Sequence, residues 1–149
     1  MHYYLSLGSN LGDREQTLQE AVSRIGQQIG TVTRCSSFFY SEPWGFDSPN
    51  PFCNLCCAVE TRMPPMEVLA ATQKIERELG RTHKSDHGQY ADRVIDIDII
   101  RAFDEAQKEI VSSSSLLTIP HPLYPQREFV VIPLREIGGE CGIRTPDTT

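Results

Sequence analysis

Nowhere does this chain of 149 residues hold a run of about 18 apolar residues, so no membrane-spanning helix can be read from it. A basic surplus is missing too. With a formal net charge of -6 it lacks the Lys and Arg excess from which a general nucleic-acid binder draws its affinity. Its first residues, His2-Tyr3-Tyr4-Leu5-Ser6-Leu7, lack a basic start, a long apolar stretch and a small-residue cleavage site, so no signal peptide is read there and cytoplasmic residence is expected. No internal repeat and no linker divides the sequence. The expectation is one soluble domain over residues 1–149, with a loose Gly-, Pro- and Thr-rich tail from about residue 138. A chain of this length buries enough surface to fold without a metal or a disulfide.

Cysteine is present in odd number: Cys35, Cys53, Cys56, Cys57 and Cys141. Cys53-x-x-Cys56-Cys57 resembles a redox or metal motif, but on a strand positions 53 and 56 face opposite sides and cannot chelate one ion. Cys53, Leu55, Cys57 and Val59 then form one apolar face, with cysteine serving as a small core residue. The turn Gly8-Ser9-Asn10-Leu11-Gly12-Asp13 lacks the Gly-Lys-Ser/Thr ending of a P-loop, so it is read as a strand-to-helix turn with a cap.

What is there follows a regular order. Tyr3 to Leu7 reads as a strand. Asp13 and Gln16 make a capping pair for a helix over 14–28, whose stripe is Leu18, Val22, Ile25 and Ile29. Residues 31–40 suit a second strand with a bulge at Cys35-Ser36-Ser37. Residues 41–51, with three prolines and the single tryptophan, form a loop of the kind where binding residues collect. A strand over 52–61 follows, then a helix opened by Pro64-Pro65, with Val68, Ala71, Ile75 and Leu79 inward and Gln73 and Glu76 off that stripe. After the basic segment Arg81 to Arg93 comes a strand over 94–100. Residues 103–109 read as a connection, 112–115 as a short flexible run, and 129–137 as a last helix interrupted by Pro133. The order βαββαβ predicts an α+β, ferredoxin-like antiparallel sheet with helices on one face and long loops.

Val94-Ile95-Asp96-Ile97-Asp98-Ile99-Ile100 carries the most chemistry. Ile95, Ile97 and Ile99 make the buried face, so Asp96 and Asp98 share the other, with Cα atoms about 7 Å apart. Such a pair is either a solvated strand face or a site for an oxygen-preferring divalent cation, which would relieve the repulsion and leave positions open for phosphate oxygens. Arg93, just upstream, suits neutralisation of a polyphosphate, or simply an ion pair with Asp92. His121 and Arg127 offer further phosphate contacts. Phe52 with Asn54 offers an aromatic face and an amide for a heteroaromatic ring, and Gly8 could let a flat ligand approach the backbone.

Four pieces in order, Leu7-Gly8-Ser9-Asn10-Leu11-Gly12-Asp13, Glu42-Pro43-Trp44-Gly45-Phe46 with Phe52-Cys53-Asn54, Arg93-Val94-Ile95-Asp96-Ile97-Asp98, and Pro120-His121-Pro122 with Arg127-Glu128-Phe129, resemble the 6-hydroxymethyl-7,8-dihydropterin pyrophosphokinase family. The resemblance implies a monomeric, Mg²⁺-dependent enzyme that moves pyrophosphate from ATP to the pterin in folate biosynthesis and releases AMP. It implies that Asp96 and Asp98 bind two Mg²⁺ ions, with Arg81 and Arg93 as catalytic partners. Gly8, Glu42, Pro43, Trp44, Phe52, Asn54 and Phe129 would hold the pterin. Gln73, Glu76, Arg81, Arg93, Ile99, Thr118, His121 and Arg127 would line the ATP side, under a closing 81–93 loop. Against relatives, His83 and Lys84 stand near where a second arginine occurs, Tyr90 stands near a loop tryptophan, and Leu123 replaces a polar residue. The rival is a catalytically silent ferredoxin-like module that binds a nucleotide or metal and regulates something else.

Overall fold

The computed structural model describes residues 1–42, 50–80 and 94–139. Five strands form the main sheet: β1 (His2–Ser9), β2 (Thr31–Cys35), β3 (Phe39–Ser41), β4 (Phe52–Glu60) and β5 (Asp96–Phe103). Their order is β2-β4-β1-β5, all antiparallel, with β3 also on β4. That is the expected ferredoxin-like arrangement, with the two chain-adjacent crossovers made by α1 (Arg14–Gln28) and α2 (Pro65–Glu78).

Asp13 caps α1 by accepting the Gln16 N–H at 3.2 Å, the predicted half of a capping box. Leu18, Ala21 and Ile25 of α1 and Val68 and Ile75 of α2 meet Leu5, Leu7, Cys53, Leu55, Cys57, Val59, Ile95, Ile97 and Ile99 in the larger core. Cys56 lies in a second core on the opposite face with Ala58, Ile100, Val130 and Leu134. The two-faced reading of the cysteine run is therefore correct.

Several expectations change. The strand read over 31–40 is two pieces, β2 ending at Cys35 and β3 beginning at Phe39, and the register shift falls earlier, between Val32 and Arg34. The run at 112–115 is half of a hairpin, β6 (Ser112–Ser113) on β7 (Thr118–Ile119). The last helix, α3 (Glu128–Glu136), runs through Pro133. It packs on the face opposite α1 and α2, because its Val130 and Leu134 cover Cys56, Ala58 and Ile100, so the helices are not all on one face. Gly138 and Gly139 are fixed, the latter accepting Arg101 at 2.7 Å, and the rest of the expected tail lies outside the described residues.

β5 runs on to Phe103 because of a bulge: Tyr4 pairs with Arg101 but Leu5 with Ile99, leaving Ile100 as the extra residue. The alternation therefore changes phase, and Arg101 is fully buried. Its charge is met by a two-pronged pair with Glu109, at 2.9 Å for each contact, and its guanidinium lies 4.7 Å from the Phe103 ring.

Candidate active site

The sheet assembles the site in rows. In β1 the partner of Gly8 is Asn54 on one side and Asp96 on the other, and Asn54 in turn pairs with Phe39. In the next row Ser6 lies between Cys56 and Asp98. Cys56 belongs to the core under α3, so these rows open on the α3 face, and Asp96 and Asp98 are half-buried there while Ile97 and Ile99 face the larger core. The predicted division of the strand into an isoleucine face and an acid face holds.

Gly8 is the floor. A Cβ at this position would come within 3.0 Å of Asn54 Oδ1 and 3.5 Å of Phe52 Cδ1, so any side chain would fill the space between the amide and the ring. Asn54 is locked by donating through Nδ2 to Phe39 O at 2.9 Å and Ser41 Oγ at 2.8 Å, which leaves its carbonyl oxygen turned toward Gly8. Phe129, at the first turn of α3, packs at the edge of the same face. Arg127 is buried just before it, with its guanidinium 5.8 Å from the Phe129 ring.

On the far side of β5, the strand edge meets α2 and β7. Glu76, read as off the apolar stripe of α2, is 2% exposed, and its Oε2 accepts the Ile97 N–H at 2.7 Å. A carboxylate is thus tied to the backbone between the two aspartates. His121 follows β7 and donates its own N–H to Ile100 O at 2.9 Å. Its Nδ1 accepts the Leu123 N–H at 3.2 Å, so the ring proton sits on Nε2. Burial first, and the Arg127 charge second, push its pKa down to about 4 against a smaller opposing pull from Asp96. The ring is a neutral donor at neutral pH.

Gln73 is half-buried on α2, and Thr118 is exposed on β7. Ile99 sends its side chain into the larger core, 4% exposed, so only its backbone faces the strand edge. Glu42 is exposed at the end of β3. Pro43, Trp44, Arg81 and Arg93, with His83, Lys84 and Tyr90, lie outside the described residues. Three contributors had not been singled out in the sequence. Ser41 holds Asn54. Asn10 donates to Asn50 O at 3.1 Å, and Arg14 to Pro51 O at 2.8 Å, fastening the backbone just before Phe52. Their polar side chains at a strand-to-helix turn read only as caps; nothing local in the sequence says that they reach 37 to 40 positions along the chain.

The donor set suits Mg²⁺. Two carboxylates offer hard oxygen ligands, and no cluster of three or more acid, His or Cys ligands occurs among the described residues. An ion held by so few protein groups keeps positions for water and phosphate, as Mg²⁺ prefers. Among the described residues no helix is long and apolar enough to cross a membrane.

Residues 4–139 match the family 7,8-dihydro-6-hydroxymethylpterin-pyrophosphokinase (HPPK). A 2-amino-4-hydroxy-6-hydroxymethyldihydropteridine pyrophosphokinase of Porphyromonas gingivalis is 46% identical over 136 residues, covering 90% of this chain and 88% of that protein. One from Bacillus subtilis is 38% identical over 135 residues, covering 90% and 76%. The folic acid synthesis protein fol1 of Pneumocystis carinii is 37% identical over 137 residues, covering 92% of this chain and 17% of that longer protein. A crystal structure of an HPPK-DHPS in complex with substrates superposes with a TM-score of 0.66 over 91% of this chain and 40% of its own, and at 14% identity it attests the fold.

Proposed function

The chain belongs to the 7,8-dihydro-6-hydroxymethylpterin-pyrophosphokinase family, and from that premise we propose how its residues divide the work. It is a pyrophosphokinase of folate biosynthesis: pyrophosphate passes from ATP to 6-hydroxymethyl-7,8-dihydropterin, and AMP is released. The observation that carries the residue assignment is the row Asn54–Gly8–Asp96, which sets a flat, amide-edged floor directly beside the acid pair.

On this reading Phe52 and Phe129 stack on the two sides of the pterin, Asn54 reads its polar edge, and Gly8 leaves room for the ring. Glu42, Pro43 and Trp44 add contacts at its rim. Asp96 and Asp98 hold two Mg²⁺ ions. When bound, these ions supply charge neutralisation at the phosphates and lower the cost of ionising the pterin hydroxyl. Glu76 fixes the backbone between the aspartates, so both carboxylates keep one spacing. His121 donates from Nε2 to a phosphate oxygen without adding a full charge, and Arg127, Arg81 and Arg93 add the positive charge. Gln73, Thr118 and the Ile99 backbone complete the ATP side. The pterin hydroxyl attacks the β-phosphorus in line, and positioning with preorganised charge supplies most of the rate.

We place the enzyme in the cytoplasm as a monomer. Incubation with ATP, Mg²⁺ and the reduced hydroxymethyl pterin, followed by separation of nucleotides, tests the reaction. AMP formed in step with consumed pterin is expected. ADP would mean an ordinary kinase, and absence of any pterin-dependent product would leave only a silent binding module.

A further inference from the structure

Cys35 on β2 is the direct cross-strand partner of Cys57 on β4. The neighbouring pair, Ser36 and Cys56, carries the ladder bond, with the Ser36 N–H donating to Cys56 O at 2.9 Å. Hydrogen-bonded and open pairs alternate along an antiparallel ladder, so Cys35 and Cys57 form an open pair, whose Cα atoms stand about 4.5 Å apart with side chains on the same face. That lies within the span of roughly 4.4–6.8 Å that a disulfide bridges without backbone movement. Among the described residues the remaining cysteines fail this geometry. Cys56 points to the other face, and Cys53 pairs with Tyr40.

Exposure differs between the two partners. Cys35 is exposed at the sheet edge, whereas Cys57 is fully buried. We propose that Cys35 and Cys57 are an oxidisable thiol pair, in which Cys35 receives the oxidant and Cys57 resolves it into a cross-strand disulfide. With a low-molecular-weight disulfide as oxidant, the Cys35 thiolate attacks one of its sulfurs and releases one thiol. Cys57 then attacks Cys35 Sγ, its proton passing to the departing sulfur, which leaves as the second thiol. Two protein thiols become one disulfide, and the oxidant becomes two thiols.

Partial desolvation of Cys35 and full burial of Cys57 hold both thiols above the ordinary cysteine range, so the reaction is slow and needs an oxidising pool. The bond would close the base of the segment that includes β3, Glu42, Phe52 and Asn54. Its formation does not depend on the pterin reading, so failure here would leave that reading untouched.

The full chain is incubated with oxidised glutathione, its remaining thiols are alkylated after unfolding, and it is cut on the amino side of aspartate, which separates Cys35 from Cys57 at Asp47. The expected product is a peptide ending at Phe46 joined to the one carrying Cys57, with Cys53 and Cys56 alkylated. Dithiothreitol should reverse the link, and Cys35→Ser should prevent it while leaving Cys57 alkylatable. The proposal is overturned by a stable glutathione adduct on Cys35 with Cys57 still alkylatable. It is equally overturned by a link to Cys53 or Cys56, or by Cys35 remaining a thiol while a control dithiol is fully oxidised.

Discussion

The buried carboxylate of Glu76 accepts the backbone N–H of Ile97 at 2.7 Å, and Ile97 is the residue between Asp96 and Asp98. A helix side chain thereby satisfies an edge-strand donor and fixes the strand that carries both acids. Glu76→Gln keeps a carbonyl acceptor and Glu76→Ala removes it. Loss of a charged acceptor from a buried donor costs about 2 kcal/mol. The alanine variant should therefore unfold at lower urea and lose at least tenfold in turnover, with the glutamine variant in between on both counts.

Gly8 tests the pterin floor without touching the ATP side. In Gly8→Ala the new methyl meets Asn54 Oδ1 at 3.0 Å and the Phe52 ring at 3.5 Å. Calorimetric titration should show pterin affinity falling by tenfold or more, about 1.4 kcal/mol, while binding of a non-hydrolysable ATP analogue stays within twofold of wild type. Equal loss for both ligands would mean that the floor lies elsewhere.

Arg14 tests the fastening of the backbone before Phe52. Its guanidinium donates to Pro51 O and lies 5.5 Å from the Tyr40 ring, whose hydroxyl in turn donates to Glu15. Arg14→Ala should raise the KM for pterin several-fold and leave kcat and the KM for ATP nearly unchanged. Steady-state kinetics in each substrate separates these effects.

His121 gives the free protein a pH signature. Its pKa in the fold is about 4, against an ordinary 6.5, because it is buried and lies near Arg127. Above pH 6.5 the ring is neutral in both folded and unfolded chains. As pH falls from 6.5 toward 4 only the unfolded chain takes up the proton, so stability is lost across that window and levels off below it. Urea midpoints measured without metal or nucleotide should fall between pH 6.5 and 4, and His121→Asn should flatten that part of the curve.

The part of the site that depends on strand alternation was legible from the residues. Ile95, Ile97 and Ile99 against Asp96 and Asp98, and Cys53 and Cys57 against Cys56, fall on the faces that a two-residue period dictates. The bulge at Ile100 was not legible, since isoleucine fits either face, and the reason for the buried Arg101 appears only with Glu109 and Gly139 in place. The tie from Glu76 to Ile97 was not legible, because nothing in the helix segment reveals a strand edge twenty-one positions away. The placement of α3 likewise depends on which sheet face α1 and α2 leave uncovered. The identity of the pterin came from resemblance to a family, and the family match bears it out.

Asp96 and Asp98 are proposed to hold the divalent cations of the reaction. Mn²⁺ can replace Mg²⁺ as a paramagnetic reporter, and its binding can be counted by electron paramagnetic resonance in the complex of the chain with pterin and a non-hydrolysable ATP analogue. Two bound ions per wild-type chain are expected, with at least one lost in Asp96→Asn and in Asp98→Asn while the circular dichroism spectrum is unchanged. Full occupancy in both folded variants would contradict the account.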